Sequence, residues 1–360
     1  MHNCSDDVLA HHDKEVTLPQ EKRTDMRDRR DANRDRIKKG LKSNNRPAPR
    51  EFVKQGSYAM KTMVRHPDND YDIDDGVYFN KEDLVGDRGA EMSGLQARQM
   101  VCEALDDGSF KKPPEVRPNC VRAYYAAGYH VDLPVYRRVT ITDARGNETY
   151  HHENETYHHE LAASEWKRSD ARDVTDWFDR ENTRQSPDTT NGRQLRRIVR
   201  QSKKYARSRP SWSGQILSGF GITALVMECY RANPSREDTA LYDTMKAIRD
   251  RLNRNLVVKH PVTPNETITK GDDDARAKFL RDRLTEAIDT LDPLFDPDCS
   301  RKKALKCWDK VFATTFFRDR DEPKKEAKAG LLKAATVAPL AGAFTFPNAP
   351  RREDKPRGFG

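Results

Sequence analysis

The stretch KQGSYAMKTMVRHPDNDYDIDDGVYF, residues 54–79, decides the interpretation of this chain. Within it, the alternation of residues 71–79 predicts a strand, on which positions i and i+2 point to the same face. Asp72 and Asp74 therefore project together, whereas Ile73 points to the opposite face and can pack. Two adjacent carboxylates repel each other unless a hard cation lies between them, and Mg²⁺ is held by such carboxylates together with phosphate oxygens. The pair thus has the chemistry that a Mg²⁺–nucleotide site needs.

Two further features favour a nucleotide site over a solvated acidic loop, which the two aspartates alone fit equally well. Gly56 and Ser57 provide a flexible turn, exposed backbone N–H groups and a hydroxyl, which suit terminal phosphates. Asp132 lies on a predicted strand among apolar residues, where an ionised carboxylate costs several kcal/mol unless it is compensated. A metal ion shared with Asp72 and Asp74 would compensate it; the alternative is a salt bridge at a sheet edge.

The remaining patterns divide the chain into four parts. A highly charged helix over residues 19–43 dominates an N-terminal segment, residues 1–50, which we expect to pack on the domain that follows. Residues 51–164 form that sheet-containing domain, with a helix over 93–107 and two strands within 120–141 joined by a tight turn at Ala127-Gly128. Residues 165–322 form a helical lobe, with helices predicted over 170–182, 194–208, 216–232, 240–256, 275–291 and 301–317. Residues 323–360, dominated by Ala, Lys, Pro and Gly, predict a disordered C-terminal tail.

Charge and composition limit the class of partner. The net charge of +8 over 360 residues lies at the two ends, since residues 1–50 hold 13 Lys and Arg against 9 Asp and Glu, and residues 323–360 hold 8 against 3. The body is about neutral, and long nucleic acids need a basic track, so we expect no long nucleic-acid substrate. The chain has no apolar run of about 18 residues, no secretory signal pattern and six scattered cysteines. We therefore expect no membrane association and a cytoplasmic location.

Taken together, five strings resemble the bacterial cGAS/DncV-like nucleotidyltransferases (CD-NTases), and most of all the branch of the bacterial cyclic GMP-AMP synthase. In chain order they are QGSYAMKTMVR, DYDIDDGVYF, CVRAYYAAGYHVDLPVY, SDARDVTDWF and QLRRIVRQSKKY. The resemblance covers roughly residues 50–310. It implies an α+β fold in which a polymerase β-like nucleotidyltransferase palm with a mixed sheet is joined to a helical lobe, giving a bilobed enzyme.

The resemblance also implies a catalytic and metal-binding set. The catalytic aspartates, which would hold two Mg²⁺ ions with Mn²⁺ as a substitute, are Asp72, Asp74 and Asp132. The residues that would contact the donor triphosphate are Gln55, Gly56 and Ser57. Lys203 matches a lysine that neutralises the triphosphate, and its neighbour Lys204 is a rival for that role.

Four further positions receive roles by the same resemblance. Arg122 would reach a nucleotide phosphate or base, and Ser218 would add a hydroxyl near the phosphates. Asn265 and Glu266 lie in a segment that resembles a base-holding loop. For all four residues, ordinary surface polarity explains the residue type equally well.

The implied function is a cyclic oligonucleotide synthase that joins ATP and GTP, giving 3′,3′-cyclic GMP-AMP, in anti-phage signalling through a separate cyclic-nucleotide effector. Relatives with a flexible tail and a terminal glycine are conjugated by partners that resemble ubiquitin E1 and E2 enzymes, which makes Gly360 a candidate attachment point. Two alternatives stay open. One is a template-independent nucleotidyltransferase acting on RNA, and the other is a nucleotide sensor without catalysis.

Overall fold

The strand that carries Asp72 and Asp74 lies at the centre of the sheet. The computed structural model describes residues 1–66, 71–86, 89–126, 128–141, 156–263 and 265–321. Its strands are β1 (Glu51–Gln55), β2 (Asp72–Asn80), β3 (Glu115–Val116), β4 (Val121–Tyr124), β5 (His130–Leu133), β6 (Val135–Thr140), β7 (Tyr157–Ala162) and β8 (Trp166–Arg168). Antiparallel β1 flanks β2 on one side, and parallel β5 and β6 flank it on the other. Further strands extend the sheet through β4 and β3 and through β7 and β8, without closing it.

The segment predicted as two strands over residues 120–141 contains three. Pro134 separates β5 from β6 because proline has no N–H to donate to the ladder. Its carbonyl still accepts a hydrogen bond from the Val77 N–H at 2.8 Å, so both strands stay alongside β2. Ala127 of the predicted turn lies outside the described residues, and so does the hairpin connection expected around residues 142–150.

The helices follow the predicted order. Among the described residues they are α1 (Ser5–His11), α2 (Gln20–Ser43), α3 (Gly56–Ala59), α4 (Gly94–Leu105), α5 (Ala171–Gln185), α6 (Gln194–Ala206), α7 (Gly219–Cys229), α8 (Glu237–Arg254), α9 (Ala275–Leu291) and α10 (Arg301–Phe312). The six helices predicted after residue 165 correspond to α5–α10. In the last of them the helix ends at Phe312, where Ala313 takes a left-handed conformation with φ 51°.

The palm, comprising the sheet with α2, α3 and α4, has its own apolar core. Along α2, the buried residues Met26, Ile37 and Leu41 fall on one face. Gly40 lets α2 approach α4 closely, because a Cβ there would lie 2.1 Å from the Ala104 carbonyl oxygen. Each fully buried aliphatic side chain of this kind contributes about 1.5–3 kcal/mol to stability.

The second apolar core belongs to the helical lobe, and the first residues of the chain join it. Cys4 and Val8 are buried in this core, with Trp308 at its centre. Asp7 accepts hydrogen bonds from Arg301 and Arg320, each at 2.9 Å. This arrangement differs from the expectation that all of residues 1–50 pack on the palm, because α1 presents its own apolar residues to α8 instead. No helix in the described part of the chain combines the length and the apolarity that a membrane span requires.

Candidate active site

A cleft of about 1320 Å³ separates the palm from the helical lobe. Most of the residues predicted for the site line it, and these are Gln55, Gly56, Ser57, Asp72, Asp74, Lys203, Asn265 and Glu266. Arg122, Asp132 and Ser218 are not among the lining residues. The structure therefore brings together residues from both lobes that are more than 200 positions apart in sequence.

The β1–α3 junction fixes the Gly-Ser turn against the aspartates. Gly56 has φ +58°, a left-handed conformation that favours glycine. A Cβ at Gly56 would lie 2.0 Å from Oδ2 of Asp74. The turn therefore admits the Asp74 carboxylate only because residue 56 has no side chain, and Ser57 follows directly in the cleft wall.

Gln55 has a different environment from its neighbours. It is 3 % exposed, its Nε2 donates to the Tyr78 hydroxyl at 3.1 Å, and its Oε1 accepts from the Tyr136 hydroxyl at 3.2 Å. The two tyrosine rings stack with centroids 4.5 Å apart. These contacts use the carbonyl oxygen and one N–H of the amide, so they fix the Gln55 side chain in the sheet.

The three aspartates lie on adjacent parallel strands. Asp74 pairs in register with Asp132, and Asp72 pairs with His130. Burial, and then the negative charges of Asp132 and Asp72, raise the pKa of Asp74 to about 7. Among the described residues, the Asp74 carboxylate has neither a hydrogen bond nor an ion pair. It is the acidic group of the cleft that most lacks a positive partner.

Each of the other two aspartates contacts a basic side chain of the palm. Arg122 donates two hydrogen bonds to Asp132, Nε to Oδ1 and Nη2 to Oδ2, both at 2.7 Å. Nε2 of His130 pairs with Oδ1 of Asp72. Burial opposes ionisation of Asp72, but the contact with His130 together with the charges of Arg122 and Arg207 outweighs burial, so the pKa of the carboxyl is lowered.

These two pairs determine the shape of the acidic site. Within the described ranges, no three His, Cys, Asp or Glu side chains converge closely enough to hold one metal ion. The donor set nevertheless has the chemistry of a magnesium site: hard carboxylate oxygens, one of them unpartnered, beside a glycine turn. The residues fit divalent ions, provided that Arg122 releases Asp132 and His130 releases Asp72 when the ions bind.

On the opposite wall, Lys203 rather than Lys204 faces the cleft. Lys203 is 6 % exposed, and its Nζ donates to Oγ1 of Thr62 at 2.9 Å. Burial, followed by the charges of Arg207 and Arg200, lowers the pKa of Lys203 to about 7. An approaching anion would favour the charged form of this amine. Lys204, by contrast, is not among the lining residues.

Ser218 acts locally as the N-cap of α7. Its Oγ accepts a hydrogen bond from the Gly221 N–H at 3.1 Å. The next two residues, Gly219 and Phe220, line the cleft, and a Cβ on Gly219 would lie 3.6 Å from Cε of Lys203. The helix begins three residues later than the sequence pattern predicted because Ser218 caps it.

The segment predicted to hold a base also lines the cleft. Asn265 and Glu266 both line it, and Glu266 accepts a hydrogen bond from Lys167 at 2.9 Å. Beside them, the rings of Phe220 and His260 lie 5.3 Å apart. An apolar ring next to amide and carboxylate groups suits a nucleobase, which has both a π-face and hydrogen-bonding edges.

Sequence reasoning missed several residues of the site. Arg207 lines the cleft one helical turn after Lys203, and its i+4 spacing was a usable signal. His130 is two positions before Asp132 on the same strand, so the parallel pairing that sets it against Asp72 was not visible before the topology was known. Tyr157 and Phe220 also line the cleft, and the sequence contained no signal for either.

Comparison with known proteins agrees with this geometry. Residues 50–136, which carry the Gly-Ser turn and all three aspartates, match the family described as "Cyclic GMP-AMP synthase DncV-like, nucleotidyltransferase domain". Residues 50–136 therefore form a nucleotidyltransferase domain of the DncV-like type. The family match of this DncV-like nucleotidyltransferase ends at β6, so the helical lobe and Lys203 lie beyond it.

Solved structures extend the likeness across both lobes. A mutant of the Vibrio cholerae di-nucleotide cyclase DncV is 16% identical, with a TM-score of 0.67, over 86% of this chain and 95% of that one. Escherichia coli DncV bound to 3′-deoxy GTP is 16% identical, with a TM-score of 0.62, over 84% and 94%. Vibrio cholerae DncV with the linear intermediate 5′ pppA(3′,5′)pG is 18% identical, with a TM-score of 0.61, over 83% and 91%. The DncV-like nucleotidyltransferase thus has the α+β nucleotidyltransferase fold predicted from its sequence.

Proposed function

We propose that this enzyme is a cyclic oligonucleotide synthase that joins ATP and GTP, with 3′,3′-cyclic GMP-AMP as the product. The cleft supports the proposal most directly, because Asp72, Asp74, Lys203 and the segment proposed to hold a base line one space of about 1320 Å³. Pockets for one drug-sized ligand span about 300–1,000 Å³, so this cleft has room for two nucleotides. A synthase of this kind needs both at once, and Vibrio cholerae DncV is known with a linear dinucleotide intermediate.

The residues that would hold two Mg²⁺ ions, or Mn²⁺ in their place, are Asp72, Asp74 and Asp132. Bound Mg²⁺ would lower the pKa of the acceptor ribose hydroxyl and neutralise the leaving pyrophosphate. Asp74, unpartnered among the described residues, supports this assignment most directly. Arg122 and His130 would compete with the ions for the other two carboxylates.

Positioning of the donor triphosphate would be shared between the lobes. Gly56 and Ser57 are the first residues of α3, and the first N–H groups of a helix have no acceptor within the helix. These two N–H groups would donate hydrogen bonds to phosphate oxygens. From the other wall, the Lys203 ammonium would neutralise the same phosphates. Asn265 and Glu266 would orient a base, and Ser218 would contribute through the N-terminus of α7. Most of the rate would then come from positioning and charge neutralisation, as in phosphoryl transfer generally.

The test is incubation with Mg²⁺ and each pair of labelled NTPs, followed by phosphatase treatment and mass spectrometry. A phosphatase-resistant product containing one AMP and one GMP unit supports the proposal, and nuclease digestion of each linkage distinguishes 3′–5′ from 2′–5′ bonds. The Asp72→Asn/Asp74→Asn double variant is the control, because it removes two proposed metal ligands and keeps their size. A cyclic product that contains only one kind of nucleotide would change the proposed substrates but leave the proposed reaction unchanged.

Two other outcomes would replace the proposal. Extension of a labelled RNA primer would indicate a template-independent nucleotidyltransferase, which the neutral body of the chain disfavours. Tight NTP binding without any product would indicate a sensor. Retention of all three aspartates favours an enzyme over a sensor.

The biological part of the proposal concerns anti-phage signalling from a cytoplasmic enzyme through a separate effector activated by the cyclic nucleotide. Its test is phage challenge of cells that carry the gene with its neighbours, compared with the Asp72→Asn/Asp74→Asn variant. A further part concerns Gly360, outside the described residues, as the attachment point for an E1/E2-like conjugating partner. Intact-mass measurement of the co-expressed protein tests it, and an adduct lost in a Gly360→Glu variant supports it.

A further inference from the structure

One face of α6 carries a row of cations that ends in the cleft. The row is spaced by four, three and four residues, so its members share a face of the helix: Arg196, Arg200, Lys203 and Arg207. The first three donate to protein acceptors, namely Asp179 at 2.6 Å, the Lys61 carbonyl at 2.8 Å and the Thr62 hydroxyl at 2.9 Å. These three side chains therefore already have hydrogen-bond partners within the protein.

Arg207 differs from the rest of the row. It is exposed, lines the cleft and, within the described part of the chain, its guanidinium makes no hydrogen bond or ion pair. Its backbone N–H is held by the carbonyls of Lys203 and Lys204, each at 3.1 Å, so its Cα is fixed at the end of α6. After burial, the charge of Arg207 is the largest influence on the pKa of Lys203, and the same charge also lowers the pKa of Asp72.

We propose that Arg207 binds the outer phosphates of the donor nucleotide, as the partner of Lys203 at the mouth of the cleft. A guanidinium presents a planar fork of donors that matches phosphate oxygens two at a time, whereas the buried Lys203 amine contributes one point of charge. Pyrophosphate, the leaving group, carries these same phosphates, so Arg207 holds them before and after transfer. This inference rests on the proposed function, since it names a further binding residue of the same site.

The experiment measures binding by calorimetry, without turnover. α,β-Methylene ATP and GTP are titrated with Mg²⁺ into the full-length wild type, Arg207→Gln and Arg207→Lys, and the same is done with AMP and GMP. Arg254→Gln is the matched control, because Arg254 is an exposed arginine at the C-terminal end of α8 in the same lobe and does not line the cleft. Thermal unfolding of each variant checks that the fold is retained.

We expect Arg207→Gln to weaken triphosphate binding about 10- to 100-fold, the range for a hydrogen-bonded contact to a charged group. Binding of the monophosphates should change less than about twofold, because they lack the outer phosphates. Arg207→Lys should fall between wild type and Arg207→Gln, since it keeps the charge but loses the fork. The Arg254→Gln control should bind both ligand classes as the wild type does.

Either of two results overturns the inference: unchanged triphosphate affinity in Arg207→Gln, or an equal loss for monophosphates and triphosphates, which a general disturbance of the cleft would cause. The outcome is separable from that of the proposed function. If the wild type makes no cyclic product yet its triphosphate affinity depends on Arg207, the proposed function fails and this inference stands. If the product forms and Arg207→Gln binds triphosphate normally, only this inference fails.

Discussion

Replacement of Gly56 by alanine tests the contact that fixes the carboxylate of Asp74. The new Cβ would lie 2.0 Å from Oδ2 of Asp74, and carbon–oxygen contacts of this type require at least 3.0 Å. The carboxylate must therefore move by about 1 Å, and a misplacement of that size in an active site costs about 10²-fold in rate. The left-handed φ of +58° adds about 1–2 kcal/mol of strain in the folded state.

Gly108→Ala separates these two effects. Gly108 has a similar φ of +76°, but its Cβ would meet nothing within 4 Å. Urea unfolding should show a comparable loss of about 1–2 kcal/mol in both variants, whereas only Gly56→Ala should lose about 10²-fold in product formation. Titration with Mn²⁺ followed by electron paramagnetic resonance should show weaker binding in Gly56→Ala alone. Wild-type rate and wild-type Mn²⁺ affinity in a folded Gly56→Ala protein would refute the reasoning.

Three further variants test the charges of the site. The Asp72→Asn/Asp74→Asn protein should form no product, while its metal-free unfolding temperature, measured by calorimetry, should hold or rise because like-charge repulsion is relieved; undiminished synthesis would contradict the metal assignment. Arg122→Gln should bind Mn²⁺ several-fold more tightly in the absence of nucleotide, since it frees Asp132, and an unchanged or weaker affinity would show that Arg122 does not compete with the metal. The pKa of Lys203 is about 7 in the folded protein and 10.5 in its ordinary state. Between pH 7 and pH 10.5 the unfolded chain therefore binds more protons than the folded protein, and the free energy of unfolding rises with pH. The cost of burying Lys203 is thus largest near pH 7 and smallest near pH 10.5. Lys203→Met should therefore be more stable than the wild type near pH 7, with the difference shrinking towards pH 10 in urea unfolding, and a difference that does not depend on pH would contradict the buried-amine assignment.

Local patterns were sufficient for β2 and for the long helices, but not for every element, since residues 120–141 contain three strands where two were predicted. Residues 71–79 alternate because one face of β2 packs on the palm core, where Ile73 is buried, and the other face carries the aspartates. The helical segments after residue 165 were visible because each has an apolar stripe to bury in the second core. The assignment of α1 to the helical lobe was not visible, since it depends on a contact between residues more than 200 positions apart.

The site was predictable where the function depends on residue type at fixed spacing. The Gly-Ser turn and the two aspartates of β2 belong to one short segment, and their spacing alone limits how they can be placed. The side-chain environment of Gln55 was not predictable in this way, because it depends on Tyr78 and Tyr136 from two different strands. The sequence shows that Gln55 is a polar residue beside the turn. It does not show that the side-chain amide of Gln55 forms hydrogen bonds with two tyrosines of the sheet.

The same argument applies to the charge balance of the cleft. The sequence suggested a metal ion or a salt bridge as alternative partners for Asp132, and the structure shows the salt bridge, with Arg122 donating through Nε and Nη2. The two alternatives are compatible, because they describe one carboxylate with two competing cations. A divalent ion that takes Asp132 would release a guanidinium beside the acidic site, and a released guanidinium is the group that the resemblance assigns to the nucleotide. Metal binding and nucleotide binding should therefore be coupled through Arg122: each should strengthen the other in the wild type, and the coupling should fall in Arg122→Gln. Equal coupling in the two proteins, measured as the change in Mn²⁺ affinity on adding α,β-methylene GTP, would show that Arg122 plays no part in it.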